Sequence, residues 1–169
     1  SDVCSSDLTY GDGTKYMQLM DLLTVLNKVP KNTRIDFSGM AEPWANPACT
    51  TMLEMVLYMG FDVAIYTTLY GMTDPAPVKK VLESHPNQVK VVMLHLPDAN
   101  GNMKGWKLDQ KWMNAFEMMS TLQVPCGVGA MTMDGSGLVH ESLQPYVGRL
   151  AGWVGHTRAD SLPVEQIGA

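Results

Sequence analysis

Residues 34–71 have the sequence RIDFSGMAEPWANPACTTMLEMVLYMGFDVAIYTTLYG, which contains a complete strand–loop–helix–strand unit. Residues 34–38 and 61–68 are short and rich in apolar, β-branched and aromatic side chains, so both are predicted to be strands. Residues 48–58 between them are apolar at helix length, and Gly60 follows as a candidate C-terminal cap. This order predicts two parallel strands joined by a covering helix.

The same alternation continues on both sides of this unit. Helices are predicted over 13–29, 75–84, 108–122 and 141–150, and strands over 89–96 and 124–133. Near-continuous apolar strands separated by helices predict an α/β fold with a parallel sheet covered by helices. Periodicity alone leaves open whether the four strands belong to a doubly wound sheet or to part of a barrel.

Composition excludes several classes of protein. The chain has 169 residues, of which 46% are hydrophobic and 17% charged, as in a globular domain. No apolar run is long enough for a membrane span. The net charge is −5 with scattered Lys and Arg residues, which argues against nucleic-acid binding. The cysteines, Cys4, Cys49 and Cys126, are odd in number and far apart, so a reducing cytoplasm is predicted rather than a disulfide framework.

The first eight residues, SDVCSSDL, show no periodicity, no helix cap and no signal-peptide pattern. They resemble the translated end of a common sequencing adapter, whereas a natural disordered terminus is the alternative. We therefore interpret residues 1–8 as a non-native peptide and residues 9–169 as the domain. On this interpretation the natural protein extends upstream of Thr9.

The loop after the first strand in this unit, residues 37–47 (FSGMAEPWANP), offers the clearest chemistry. In parallel α/β folds, ligands bind at the carboxyl ends of the strands. Gly39 and Ala41 are small, so backbone groups there can approach a ligand closely. Glu42 places a carboxylate at the same edge, where it could hold an ammonium group. The alternative for Glu42 is a helix-capping or first-turn carboxylate.

FSGMAEPWANP, the helix that follows, Gly60 and the strand DVAIYTTLYG together resemble the signature of the radical S-adenosylmethionine (SAM) family. Ala41 stands where the family usually has glycine, and TTLYG replaces TNG. The resemblance implies a partial, N-terminally truncated (β/α) TIM-type barrel whose loop grips the amino group of SAM. The cofactor-binding residues that it implies are Gly39, Met40 and Ala41 through their backbone, Glu42 through its side chain, and Thr67 and Thr68 at the end of the next strand.

The same resemblance adds candidates on the following strand. Residues 89–98 (VKVVMLHLPD) align with a family strand whose end contacts the SAM ribose, which makes His95 and Asp98 candidate cofactor contacts. The alternative for His95 is a hydrogen-bonded histidine within a half-buried strand. Residues 124–133 align with a strand on the adenine side of the cofactor, although their glycines also suit a crowded barrel.

Radical SAM enzymes hold a [4Fe–4S] cluster through three cysteines in a CxxxCxxC loop, because soft thiolates bind such clusters. This chain lacks that motif, and Cys49 and Cys126 suit small buried positions better. The resemblance therefore places the cluster cysteines upstream of Thr9 and predicts an inactive fragment. It implies an intact enzyme that cleaves SAM reductively to a 5′-deoxyadenosyl radical. A small-molecule or peptide substrate and an electron donor such as flavodoxin or ferredoxin are implied with it.

Two other functions remain open at this point. The chain could be a non-catalytic, degenerate α/β module that binds a small amino-bearing ligand or a partner protein. It could also be a TIM-barrel hydrolase or lyase that uses Glu42 and Asp98 as acid and base. No phosphate-binding loop, dinucleotide fingerprint or zinc-site pair of histidines occurs in the sequence.

Overall fold

Helices and strands alternate along the chain. The computed structural model describes residues 16–39, 42–100, 108–132, 138–147, 150 and 152–155. The elements are α1 (Leu19–Leu26), β1 (Arg34–Phe37), α2 (Cys49–Tyr58), β2 (Asp62–Thr67), α3 (Pro75–Ser84), β3 (Val89–Leu96), α4 (Gln110–Ser120), β4 (Gly129–Thr132), α5 (Gln144–Val147) and β5 (Gly152–Gly155). Short 3-10 helices lie at Pro43–Ala45, Pro86–Gln88 and Glu141–Leu143.

The five strands form one sheet in the order β1-β2-β3-β4-β5, and every neighbouring pair is parallel. A doubly wound sheet reverses its strand order at a switch point. The described strands show no such reversal. Because parallel crossovers are right-handed, a sequential order places the connecting helices on one face of the sheet. Helices α1 to α4 accordingly contact one another in chain order.

The core lies between this helical layer and the sheet. Alternate residues of the central strands point into it, and Val63 and Ile65 of β2 and Leu94 of β3 are fully buried. The helices contribute Leu53, Val56, Val78, Leu82, Phe116 and Met119, which are also fully buried. The second face of the sheet carries Tyr66, Met93, His95 and Met131, which are only half-buried. This buried core holds the carboxyl ends of the strands in place, and the loops after β1 and β2 begin there.

Several predicted elements are confirmed to the residue. Helix α3 and strand β3 have the predicted bounds, and Gly60 follows α2 with a φ of +88°, as its capping role requires. Helix α1 is shorter than predicted, since it begins at Leu19, and residues 13–15 lie outside the described part of the chain. A parallel sheet covered by helices is confirmed.

The C-terminal part differs from the prediction. Strand β4 begins only at Gly129, because residues 124–127 form a turn in which the Gly127 N–H donates to the Val124 carbonyl at 3.0 Å. Gly127 has a φ of +70°, a conformation that suits glycine and ends the extended run. The predicted helix over 141–150 is divided between a 3-10 turn and the short helix α5.

Strand β5 was not predicted. Residues 152–155 (GWVG) were assigned no structure from the sequence. In the structure they pair with β4, with Ala130 opposite Trp153. Two glycines in four residues give a weak strand signal, which pairing with a neighbouring strand overrides. Among the described helices, none combines the length and the apolar character needed to cross a bilayer.

Candidate functional site

The loop after β1 is held by two side chains, Glu42 and Asn46, that accept hydrogen bonds from nearby backbone N–H groups. Glu42 precedes the 3-10 helix Pro43–Ala45, and its Oε1 accepts a hydrogen bond from the Trp44 N–H at 3.2 Å. Asn46 then accepts from the Ala48 N–H at 2.9 Å, just before α2. The capping alternative for Glu42 is thus confirmed, although the capped helix is the 3-10 turn and not α2.

Glu42 also joins this loop to the end of β2. Its Oε1 accepts from the Thr67 hydroxyl at 2.6 Å. Its Oε2 accepts from the Thr68 N–H at 2.6 Å and from the Thr68 hydroxyl at 2.7 Å. Three residues that the sequence singled out separately are therefore in direct contact. We call Glu42, Thr67 and Thr68 the carboxylate clamp.

The clamp uses the whole acceptor capacity of the carboxylate. An ionised carboxylate offers about four lone-pair positions, two on each oxygen. Trp44 and Thr67 donate to Oε1, and the backbone and side chain of Thr68 donate to Oε2. Any further donor, including a ligand ammonium group, must replace one of these four.

Burial and hydrogen bonding act on Glu42 in opposite directions. Burial raises the pKa of Glu42 above its ordinary value of 4.5, while the bonds from Thr67, Thr68 and Trp44 lower it, and burial has the larger effect. Ionising the Glu42 carboxyl group is therefore costly, and the hydrogen-bond donors on both of its oxygens offset part of that cost.

The turn after β2 is held in an unusual backbone conformation. Leu69 has a φ of +65°, which is rare for a side chain of its size, and it is only 2% exposed. Its N–H donates to the Thr67 hydroxyl at 2.8 Å, so the clamp and the turn share that oxygen. Strained residues of this kind persist where the surroundings over-determine them.

Two tryptophans support the clamp. The Trp112 indole N–H of α4 donates to the Thr68 carbonyl at 2.7 Å, and the Trp112 ring stacks on Phe116 with centroids 5.3 Å apart. The Trp44 indole N–H donates to the Thr50 hydroxyl at 3.1 Å. Sequence analysis gave neither tryptophan a role. A contact between residues 68 and 112 has no local sequence signal, since the two are 44 positions apart.

Asn46 is a further residue that the sequence did not single out. Its side-chain amide donates to the Met17 carbonyl at 3.0 Å while its side-chain oxygen accepts from the Ala48 N–H in the turn before α2. It thereby ties the loop after β1 to the segment before α1. An Asn-Pro pair in front of an apolar helix was the signal that could have indicated this role.

The remaining predicted residues lie apart from the clamp. Gly39 is exposed with a φ of +123°, and Met40 and Ala41 lie outside the described residues. His95 is near the end of β3 on the second face of the sheet, opposite Met131, whereas Thr67 points into the helix-covered core.

Asp98 follows β3 and is 8% exposed. It accepts from the Asn100 N–H at 2.9 Å and forms an antiparallel bridge with Val139. This places a buried carboxyl group in a tight turn that connects two distant segments. Its described contacts are therefore those of a turn-forming aspartate.

An open groove of about 870 Å³ lies beside the clamp. It opens between the first turns of α2, α3 and α4, and its polar lining includes Tyr16, Tyr70, Asp74 and Lys111. None of the proposed cofactor-binding residues that the structure describes lines it. The groove and the clamp meet through the turn after β2, which contributes Leu69, Tyr70 and Gly71, and through Trp44 and Trp112, which line the groove and donate to clamp residues.

The described cysteines do not fit an iron–sulfur cluster. Cys49 begins α2 after β1, whereas Cys126 precedes β4, so the two lie toward opposite edges of the parallel sheet. Burial, with a smaller contribution from Glu42, raises the pKa of the Cys49 thiol, which disfavours the thiolate needed for metal binding. Within the described residues, no group of three or more His, Cys, Asp or Glu side chains is placed to hold a metal ion.

Comparisons with known proteins add no relative. No family model, no curated protein and no solved structure matches the chain.

Proposed function

We propose that this chain is the SAM-binding part of a radical SAM enzyme core. The observation that carries the proposal is the hydrogen-bonded contact of Glu42 with Thr67 and Thr68. These residues come from the two separate segments on which the resemblance rests, and they meet at the carboxyl edge of a parallel sheet. Ligands of parallel α/β folds bind at that edge.

The fold supports the same proposal at a coarser level. Sequential parallel strands with helices on one face are the arrangement of a (β/α) barrel segment. We therefore propose that the described sheet is part of a TIM-type barrel, with the half-buried second face turned toward the barrel interior. Tyr66, Met93, His95 and Met131 would line that interior.

Glu42 would hold the amino group of SAM. An ammonium group carries three donors and a full charge, and its bond to a carboxylate is stronger than that of a neutral hydroxyl. Gly39, with Met40 and Ala41, would supply backbone contacts in the proposed site. His95 and Asp98 would contribute at the ribose, from the strand beside β2.

For the intact protein, the proposal includes reductive cleavage of SAM at a [4Fe–4S] cluster, whose ligands the described cysteines do not provide. The chain's own contribution is to bind and orient the amino acid end of SAM. A small-molecule or peptide substrate, an electron donor such as flavodoxin or ferredoxin, and a cytoplasmic location belong to the same proposal.

The test is calorimetric titration of the purified 169-residue chain with SAM. We expect binding by the parent chain and at least tenfold weaker binding by Glu42→Gln, because an amide cannot pair with the ammonium charge. Glu54→Gln is the matched control, since Glu54 is an exposed carboxylate of α2. It should bind SAM as the parent chain does.

A SAM analogue that lacks the amino group sharpens this test. It should bind the parent chain and Glu42→Gln equally, because the contact under test is absent from the analogue. Near-ultraviolet circular dichroism of the four tryptophans checks that each variant is folded. Equal SAM affinity of the parent chain and Glu42→Gln would contradict the role proposed for Glu42.

One observation favours a second candidate, a non-catalytic α/β module that binds a small ligand. The groove of about 870 Å³ is large enough for a small molecule, and its described lining contains no proposed SAM-binding residue. This candidate predicts that Lys111→Ala, in the groove lining, weakens ligand binding while Glu42→Gln does not. The SAM proposal predicts the opposite ranking in the same titration.

A further inference from the structure

The four donors to Glu42 differ in how firmly they are held. Two of them, the N–H groups of Trp44 and Thr68, belong to the backbone and cannot leave without moving the chain. The Thr67 hydroxyl is also fixed. Thr67 is 1% exposed, and its oxygen accepts from the Leu69 N–H at 2.8 Å while it donates to Glu42.

The Thr68 hydroxyl is the exception. Thr68 is half-buried, and its oxygen has one other described bond, a long one of 3.3 Å from the N–H of the exposed residue Tyr70. Rotation about the Cα–Cβ bond of Thr68 would free one position on Oε2 and turn the hydroxyl toward water. The Thr68 N–H would stay on Glu42 throughout.

Resting on the function proposed above, we propose that the Thr68 hydroxyl is an exchangeable internal donor that a ligand's ammonium group displaces from Glu42. In the free protein this hydroxyl occupies the fourth acceptor position of the half-buried Glu42 carboxylate. A ligand must break that bond before it gains its own. The Thr68 hydroxyl therefore lowers the affinity for the ammonium group. A ligand whose hydrogen bond to Glu42 is weaker than that of the Thr68 hydroxyl does not displace it.

The exchange also reaches the turn after β2. When the Thr68 hydroxyl rotates, the Tyr70 N–H loses this acceptor. The turn that lines the groove then has one hydrogen bond fewer. Ligand binding at Glu42 and the position of Tyr70 are thereby coupled through one hydroxyl.

The test compares Thr68→Val with Thr68→Ser by titration with SAM. Valine keeps the shape and the backbone N–H but removes the hydroxyl, so the parent's opening step disappears. We expect Thr68→Val to bind SAM about three- to tenfold more tightly than the parent chain, the range that the net value of one hydrogen bond implies. Thr68→Ser keeps the hydroxyl and should bind within about twofold of the parent.

Amide hydrogen exchange at Tyr70 gives a second measurement on the same proteins. Addition of SAM should speed exchange of this amide in the parent chain and in Thr68→Ser. In Thr68→Val the amide should exchange fast with or without SAM, because its acceptor is already absent. A purely structural role of Thr68 predicts no SAM-dependent change at Tyr70.

The outcomes separate the two proposals. If the parent chain binds SAM but Thr68→Val binds it equally or more weakly, the exchange is overturned and SAM binding stands. If neither protein binds SAM while both are folded, the proposed function is overturned. The displacement of the Thr68 hydroxyl, which rests on that function, is then overturned as well. Tighter SAM binding by Thr68→Val, together with faster hydrogen exchange of the parent chain's Tyr70 amide on addition of SAM, supports both proposals.

Discussion

The backbone of Gly71 lies directly against the carbonyl group of Trp44. A Cβ atom at position 71 would stand 2.9 Å from the Trp44 carbonyl carbon and closer still to its oxygen. Gly71 also has a φ of +80°. The turn after β2 and the 3-10 turn after β1 are therefore in contact through backbone atoms, in addition to the carboxylate clamp.

This contact predicts a large effect of Gly71→Ala. The substitution places an L-residue in a left-handed backbone conformation, which costs about 1–2 kcal/mol. Its Cβ atom also clashes with the Trp44 carbonyl group, which costs about 1–3 kcal/mol. Gly60→Ala is the matched control, because Gly60 has a φ of +88° but open space around its Cβ position. Urea unfolding should show a loss in the free energy of unfolding at least twice as large for Gly71→Ala.

Thr67→Val tests the fixed side of the clamp. The substitution leaves the buried Leu69 N–H without its acceptor and Glu42 with one donor fewer. Each loss costs about 1–3 kcal/mol, so we expect the free energy of unfolding to fall by about 2–6 kcal/mol. Thr67→Ser retains the hydroxyl and should cost about 1 kcal/mol, the value of a buried methyl group. Equal effects of the two variants would contradict the hydroxyl's role.

The positive φ of Leu69 predicts that alanine loses its usual stability advantage over glycine at this position. Both Leu69→Ala and Leu69→Gly remove a buried side chain, at a cost of about 2–5 kcal/mol. Only glycine relieves the positive φ, which is worth about 1–2 kcal/mol. Glycine's greater freedom in the unfolded chain offsets about 0.4–1 kcal/mol of that gain. Glycine also lacks the buried Cβ, which costs about 0.8 kcal/mol. Thermal unfolding should therefore find Leu69→Gly about as stable as Leu69→Ala, and a glycine variant less stable by about 1–2 kcal/mol would contradict strain at this residue.

The raised pKa of Glu42 predicts how stability changes with pH. Above pH 4.5 the unfolded chain releases the Glu42 proton while the folded protein still holds it, so the folded state binds more protons. The free energy of unfolding of the parent chain, relative to Glu42→Gln, should thus be highest below pH 4.5 and fall as pH rises through the raised pKa. Urea titrations of both proteins from pH 4 to 8 measure this difference. A difference that grows with pH would mean that the four donors outweigh burial.

The sequence anticipated the fold best where local signals agree. Helix α3 begins at a proline and is amphipathic, and β3 is an eight-residue run that is mostly apolar, so both have the predicted bounds. Strand β5 was missed because its residues carry little intrinsic preference for a strand. Its formation depends on the edge that β4 provides.

The candidate site was anticipated in position but not in detail. Glu42 was expected at a strand end, and the threonines at the end of the next strand, because parallel strands present their carboxyl ends together. The four donors occupy all acceptor positions of the Glu42 carboxylate only because β1 and β2 pair in one particular register. No local sequence pattern encodes that register. The bond from Trp112 to Thr68 depends on how α4 packs, and it was not anticipated at all.

The sequential strand order has a consequence for how this chain is made. Each strand joins the sheet beside the strand that immediately precedes it in the chain, so no strand has to wait for a distant partner to be synthesised. Because loop closure is the main entropic obstacle to pairing strands, such a sheet can grow unit by unit as the chain leaves the ribosome. The two turns that form the clamp are separated by α2 and β2 alone, so the clamp can close as soon as that one unit pairs with β1.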